Sequence, residues 1–230
     1  MDQLVEIKSK IHINPSRVGK KYFIKTFGCQ MNEHDSERIS GMFELDGMSK
    51  AISEEYADVL FVNTCTIREN ADDKLYGTLG QLKQWKSQKD NRKLVVGGCA
   101  AQKDKELVRE KAPWVDVVIG THNLTNVVDL LNRSEDWGPL TEIIDEIETL
   151  PTEAPSIRES EYSAWLTIQI GCNNSCTFCI VPSVRGQEIS RRPSDIVNEA
   201  KKLVDEGVKE ITLLGQNVNS YGRDLKIEGK

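Results

Sequence analysis

The sequence lacks the long apolar runs that mark membrane proteins. None of its hydrophobic stretches approaches the ~18 consecutive apolar residues of a transmembrane helix. The first ten residues, MDQLVEIKSK, contain no apolar core of a secretory signal. Histidine occurs only three times, at positions far apart in the chain, so few histidine ligands are present for a metal site. We therefore expect a cytoplasmic protein without a membrane anchor.

The chain also lacks an excess of positive charge. Its 230 residues carry a formal net charge of −6, and 38% hydrophobic with 29% charged residues is the balance of a globular protein. The negative charge is concentrated in residues 135–161, which contain nine acidic residues and one basic residue. Because the rest of the chain is slightly positive, a locally basic surface for nucleic acid stays open.

Short apolar runs alternate with helical segments in the first part of the chain. The predicted strands are 21–27, 57–63, 93–96 and 115–119, and the predicted helices are 36–45, 68–86, 104–111 and 124–131. This alternation is typical of βαβ units around a parallel sheet. We therefore expect an α/β protein whose residues 1–134 form an open, doubly wound parallel-sheet domain.

Residues 135–160 are predicted to be an acidic linker, because acidic residues and prolines are concentrated there. The second unit, residues 161–230, has a predicted strand at 164–170, a cysteine-rich loop, a helix at 194–206 and a strand at 210–214. A complete (β/α)₈ barrel needs ~200 residues or more. Either the chain is a fragment of a longer protein, or the second unit is a smaller fold.

The six cysteines are the most informative residues of the sequence. Disulfides are rare in the cytosol, so metal or redox chemistry is the better explanation for them. Three form a C-x₃-C-x₂-C motif directly after a predicted strand: Cys172, Cys176 and Cys179. Three thiolates at this spacing suit three irons of a 4Fe-4S cluster and leave one iron open. The alternatives are a zinc site, which would need a fourth ligand, and three unconnected buried thiols.

The other three cysteines are dispersed, but each lies just past the carboxyl end of a predicted strand: Cys29, Cys65 and Cys99. Open α/β sheets bind ligands at this edge, and neighbouring strands would bring the three thiols together. Glycines next to two of them let the backbone approach closely. The alternative is three small core residues that happen to end strands, since free cysteine is commonly buried.

The C-x₃-C-x₂-C loop resembles that of the radical S-adenosylmethionine (SAM) enzymes. The resemblance implies a partial or complete (β/α) barrel with the cluster at the carboxyl ends of its strands. It also implies that SAM binds the open iron through its amino and carboxylate groups. Electron transfer from the cluster would then cleave SAM to a 5′-deoxyadenosyl radical.

Motifs along the rest of the chain resemble the methylthiotransferases, in which three cysteines of an amino-terminal domain hold a second 4Fe-4S cluster. The segments are TFGCQMNEHDSE, NTCTIRENADDKLYGTLG, VGGCAAQKDKE, APWVDVVIGTHN and CTFCIVPSVRGQEISR. The first is similar to the MiaB type, which modifies tRNA, whereas other subfamilies carry LGCPKN-like or LGCKVN-like motifs there. The resemblance covers residues 21–222 and implies one cluster on each cysteine trio.

Two further segments match loops of this family. VPSVRGQEISRR contains the family's RGxExSR loop, which implies a role at the SAM or substrate site for Arg185, Ser190 and Arg191. LLGQNVNSY matches the LLGQNVNxY segment, which implies that Gln216 and Asn217 lie near SAM. From the residues alone, a solvated basic turn and an ordinary βα turn are the alternatives.

Polar residues near the dispersed cysteines receive structural roles from the sequence. Asn32, Asp35 and Ser36 are predicted to cap the first helix, because short polar side chains satisfy its free amide groups. Asn63 and Thr64 are predicted to orient the loop of the second cluster.

The resemblance implies that the full-length enzyme adds a methylthio group to C2 of N6-dimethylallyladenosine, next to the tRNA anticodon. The expected partners of this monomer are the tRNA anticodon stem-loop and an electron donor such as flavodoxin or ferredoxin. One alternative is the same chemistry on threonylcarbamoyladenosine or a ribosomal protein. Another is an iron–sulfur fragment without turnover, because the rest of the barrel and a carboxy-terminal RNA-binding domain are expected in this family.

Overall fold

The computed structural model of the protein describes residues 14–66, 71–146 and 155–225. A parallel sheet forms the first unit, with the strand order β2-β1-β3-β4-β5-β6. Its strands are β1 (Lys21–Thr26), β2 (Ser49–Lys50), β3 (Val59–Thr64), β4 (Lys93–Gly98), β5 (Val117–Ile119) and β6 (Leu140–Glu142). The open, doubly wound sheet expected from the sequence is thereby confirmed.

Helices cover both faces of this sheet. They are α1 (Gln30–Leu45), α2 (Ala71–Ser87), α3 (Cys99–Asp104), α4 (Leu107–Lys111) and α5 (Val127–Trp137). Alternate residues of β3 point to opposite faces, so Leu60 packs in the cluster that contains residues of α2, α3 and α4. Phe61 packs in the second cluster, with residues of α1 and α5. Burial on both faces explains why the central strands read as continuous apolar runs.

The structure differs from the sequence prediction mainly at the edges of elements. The first helix begins at Gln30 rather than at residue 36, and the predicted helix 104–111 is two short helices joined at Lys105. Strand β6 lies inside the predicted linker. The sequence did not predict it, because a short, half-buried edge strand contains no apolar run. The helix start at 68–70 and linker residues 147–154 lie outside the described residues.

The second unit begins as a βαβ unit, as expected for the start of a radical SAM barrel. Its elements are β7 (Ser163–Thr167), β8 (Gln169–Ile170), α6 (Val181–Arg185), β9 (Ile189–Ser190), α7 (Pro193–Asp205) and β10 (Glu210–Leu214). Strands β7 and β10 pair in parallel, and Leu203 of α7 packs against them with Ala164 and Val208. Strand β8 pairs antiparallel with β9. Residues 226–230 lie outside the described residues.

Helix α1 joins the two units. Its His34 Nδ1 lies 3.0 Å from Thr167 Oγ1 at the end of β7. Burial lowers the pKa of His34 well below its usual range, so the ring pairs with the hydroxyl in its neutral form. Further along α1, a Cβ at Gly41 would lie 2.4 Å from the carbonyl oxygen of Pro155, so glycine permits this close approach. Within the described ranges, no helix is long and apolar enough to cross a membrane.

Candidate functional site

The carboxyl ends of β1, β3 and β4 lie side by side in the sheet, with Asn63 opposite both Thr26 and Gly97. Cys65 directly follows β3, and Cys99 directly follows β4. Cys29 follows β1 after a short turn and caps the start of α1. The structure therefore places the three dispersed cysteines at one edge of the sheet, where parallel sheets bind ligands.

A pair of asparagines supports this edge. The Asn63 side-chain amide donates to the Asn32 carbonyl at 2.7 Å, and the Asn32 amide donates to Asn63 Oδ1 at 3.1 Å. Asn32 Oδ1 also accepts from the Cys29 thiol at 3.4 Å. These bonds tie the end of β3, just before Cys65, to the first turn of α1, just after Cys29. The prediction that Asn32 caps the helix is wrong, because Asn32 lies inside α1 and its side-chain amide donates to Asn63 and Thr64 at the end of β3.

Glycine is required at the start of the Cys99 loop. Gly98 has a φ of 90°, in the left-handed region that side chains rarely adopt. A Cβ there would also lie 2.4 Å from Asn63 Oδ1 and 2.5 Å from the Thr64 carbonyl oxygen. The ends of β3 and β4 can approach each other this closely only without a side chain at residue 98.

A buried cation lies beside Cys99. Arg185 Nε donates to Cys99 Sγ at 3.3 Å, and Arg185 Nη2 lies 2.8 Å from Asp35 Oδ2. Burial raises the pKa of the Cys99 thiol, and the neighbouring guanidinium opposes that shift. The prediction that Asp35 caps the helix is therefore wrong, because Asp35 forms an ion pair with Arg185 of the second unit. Sequence reasoning missed this pair, because the two residues are far apart along the chain.

The donor chemistry of this edge fits an iron–sulfur cluster. Cys65 and Cys99 are buried sulfurs, and thiolates are the ligands that iron–sulfur clusters select. Across the described part of the chain, no three cysteine, histidine or carboxylate side chains converge as the ligands of a single ion would. A cluster does not require its ligands to converge on one point, because each thiolate binds a different iron.

The tight cysteine trio lies on the loop between β8 and α6. Cys172 is buried and its amide donates to the Gly186 carbonyl at 3.1 Å. Cys179 is half-buried and its amide donates to the carbonyl of Cys176, which is exposed. Phe178 is 94% exposed, so its ring does not cover the loop. The thiols therefore lie on an open loop that begins at the carboxyl end of β8.

Ser190 and Arg191 are held in place by hydrogen bonds within the second unit. Ser190 Oγ accepts from the Gly222 amide at 2.9 Å. Arg191 donates to the Thr167 carbonyl at 2.7 Å and pairs with Glu199 at 2.5 Å. These contacts connect the loop after the cysteine trio to the end of β7.

Two buried side-chain carbonyl oxygens of the second unit lack a hydrogen-bond donor within the described residues. They are Oε1 of Gln169 and Oε1 of Gln216. SAM carries ammonium, hydroxyl and adenine amino donors, so this pair of acceptors fits such a ligand. Gln169 pairs in register with Ser190, whereas Asn217 follows Gln216 in the loop after β10. Sequence reasoning missed Gln169, although a glutamine inside an apolar strand was a usable signal.

The five residues expected near SAM thus divide into two groups. Ser190 ends β9 and Arg191 directly follows it, whereas Gln216 and Asn217 lie in the loop after β10. Arg185 makes its described side-chain contacts with Asp35 and Cys99 of the first unit instead.

Comparisons with known proteins find matches to two segments of the chain and to the chain as a whole. Residues 21–120 match the uncharacterized protein family UPF0004, and residues 166–228 match the radical SAM superfamily. A tRNA-2-methylthio-N(6)-dimethylallyladenosine synthase of Corynebacterium urealyticum is 52% identical over 94% of this chain and 40% of its own length. The synthase of Tropheryma whipplei is 57% identical, over 87% of this chain and 43% of its own length. Over most of its own length the chain is thus similar to these synthases.

The chain spans about 40% of the length of these curated relatives. A solved structure of the radical SAM methyltransferase TsrM from Kitasatospora setae, with tryptophan and a SAM analogue bound, superimposes with a TM-score of 0.56. That match covers 87% of this chain and 48% of TsrM at 11% identity, so it shows the fold alone. The match of residues 166–228 to the radical SAM superfamily supports SAM and an iron–sulfur cluster as cofactors.

Proposed function

We propose that this chain belongs to a tRNA-modifying methylthiotransferase that acts at C2 of N6-dimethylallyladenosine, next to the anticodon. The observation that carries the proposal is the presence of two cysteine trios on two adjoining units, in a chain whose relatives are named for this reaction. The first proposed unit is the parallel sheet that carries the dispersed cysteines, and it extends through β6 rather than ending at residue 134. The second proposed unit is the beginning of a radical SAM domain.

The proposed ligands of two 4Fe-4S clusters are the dispersed trio Cys29, Cys65 and Cys99 and the tight trio Cys172, Cys176 and Cys179. A cluster with one open iron, when bound, supplies the one-electron chemistry with which SAM activates an unreactive aromatic C–H bond. The chain's own residues would bind and orient SAM.

In this proposal each group of residues has a separate task. Gln169 and Gln216 accept hydrogen bonds from SAM through their free carbonyl oxygens. Ser190 and Asn217 shape the adjoining loops, and Arg191 ties one of these loops to β7.

The proposed macromolecular partners follow from the reaction. The substrate is the tRNA anticodon stem-loop, and a protein such as flavodoxin or ferredoxin supplies the electrons. We place the monomeric protein in the cytoplasm because tRNA is modified there.

Metal analysis tests the cofactor part of the proposal. After anaerobic reconstitution we expect about eight irons and eight sulfides per chain, falling to about four of each in the Cys172/Cys176/Cys179→Ala variant. The Cys29/Cys65/Cys99→Ala variant is the matched control and should also retain about four. Four irons in the unmodified chain, all lost when the tight trio is removed, would contradict the second cluster.

Nucleoside analysis tests the reaction. In the organism of origin, deletion of the gene should leave N6-dimethylallyladenosine in tRNA without its 2-methylthio group, as measured by mass spectrometry. Loss of methylthiolation only at threonylcarbamoyladenosine or at a ribosomal protein would instead assign one of the alternative substrates.

A further inference from the structure

We propose that Arg185 is a positioning residue for the cluster of the first unit, where it hydrogen-bonds the Cys99 thiolate and raises the cluster's reduction potential. This inference rests on the proposed function, because it requires Cys99 to be a cluster ligand. It assigns Arg185 to the dispersed trio, although the sequence pattern points to the SAM site.

The Arg185 side chain is buried and held in a defined position by two contacts with the first unit. Arg185 ends α6, directly after the loop of the tight cysteine trio, yet its side chain reaches into the first unit. Its Nε donates to Cys99 Sγ at 3.3 Å, while Nη2 lies 2.8 Å from Asp35 Oδ2. The exposed fractions of Arg185, Asp35 and Cys99 are 5%, 6% and 1%. Water therefore has little access to any of the three groups.

The backbone on both sides of Arg185 is also held against the first unit and its own loop. Thr121 Oγ1, at the end of β5, donates to the carbonyl of Val184 at 2.6 Å. The Cys172 amide donates to the Gly186 carbonyl at 3.1 Å. The guanidinium is thus fixed from the backbone as well as by Asp35, and its Nε remains aimed at the sulfur.

The direction of the effect follows from electrostatics. Reduction adds a negative charge to a cluster, and a donor to a ligand sulfur stabilises that charge most strongly where water is excluded. Asp35 offsets part of the Arg185 charge, but it leaves the Nε donor on Cys99 intact. Removal of the guanidinium should therefore make the cluster harder to reduce, whereas neutralisation of Asp35 alone should make it easier.

The test uses the chain with the Cys172/Cys176/Cys179→Ala changes, so that only the cluster of the first unit is titrated. Its reduction potential is measured by anaerobic redox titration followed by electron paramagnetic resonance. Arg185→Met should shift the reduction equilibrium about tenfold toward the oxidised form, which is about 59 mV to more negative potential for one electron. Arg192→Met removes an exposed arginine from the same segment and should leave the potential unchanged.

Two further variants protect the test against misfolding. Arg185→Met leaves Asp35 buried without the Arg185 guanidinium, so the double variant Arg185→Met/Asp35→Leu removes both charges. We expect a negative shift again, because the Nε donor to Cys99 is lost, but a smaller one, because the negative charge of Asp35 is lost with it. Asp35→Asn should shift the potential in the positive direction. An unchanged potential in both Arg185 variants would overturn the inference while leaving the two-cluster proposal standing. Absence of iron in the parent with Arg185 intact would instead overturn the ligand set itself.

Discussion

Glu37 lies on α1 beneath the segment that leads from the first unit to the second. Its carbonyl accepts from the Ile157 amide at 2.9 Å, and its carboxyl is half-buried. Burial raises the pKa of this carboxyl from an ordinary 4.5 to about 7, although a backbone hydrogen bond from Glu159 and the charge of Arg158 oppose the shift. The folded protein therefore keeps a proton on Glu37 at pH values where the unfolded chain has lost it.

The sign and size of the effect on stability follow directly. Because the folded state binds the extra proton, the free energy of unfolding falls as pH rises from about 4.5 to about 7. The full shift would correspond to at most ~3 kcal/mol. Solvent screening around a half-buried carboxyl reduces this to roughly 1–2 kcal/mol.

Glu37→Gln keeps the shape of the side chain but cannot ionise. We expect the variant to be more stable than the parent by roughly 1–2 kcal/mol at pH 8 and close to it at pH 5. Urea unfolding of the metal-free, reduced chain, followed by tryptophan fluorescence at both pH values, measures this difference. Glu33→Gln changes an exposed carboxyl one turn earlier on α1 and serves as the control. An equal stability difference at the two pH values for Glu37→Gln would refute the reasoning.

Two other substitutions test how the first unit is held together. Arg17 and Asp46 are both fully buried, and Arg17 Nε lies 2.6 Å from Asp46 Oδ2. Arg17→Met should lower the free energy of unfolding by about 3–5 kcal/mol, because it leaves the Asp46 charge buried without the arginine. Adding Asp46→Leu should recover much of the lost stability, because it removes that charge. No recovery in urea unfolding of the double variant would contradict that account. Gly98→Ala should cost about 1–3 kcal/mol and reduce reconstituted iron because it strains the Cys99 loop, whereas Gly77→Ala, in open space on α2, should be neutral or stabilising. Equal iron content in the two glycine variants would argue against the close approach at residue 98.

The sequence carried the central architecture in local patterns. Strands such as β3 are buried on both faces, so they appear as continuous apolar runs that predict a parallel sheet. Because the carboxyl ends of parallel strands share one edge, the placement of Cys29, Cys65 and Cys99 also followed from the order of elements. The edge strands β2 and β6 were missed, since they are two or three residues long and only half-buried or exposed.

The start of α1 shows where local reasoning fails. Asn32 and Asp35 are polar residues near a helix start, and such residues usually cap helices. Here both residues lie inside the helix. Asn32 donates to the neighbouring strand end, and Asp35 pairs with Arg185. Their polarity is explained by partners on other elements, which a local pattern does not contain.

The sequence by itself determined the order of the central strands and their helices, the edge at which the dispersed cysteines lie and the resemblance to a known family. Only the tertiary structure decided that Arg185 contacts Cys99, 86 positions away, and that Gln169 and Gln216 each carry a buried side-chain oxygen without a donor among the described residues. The physical reason is that backbone periodicity encodes which face of an element is buried. The pairing of charged and polar side chains depends instead on how two units pack, and residues distant in sequence set that packing.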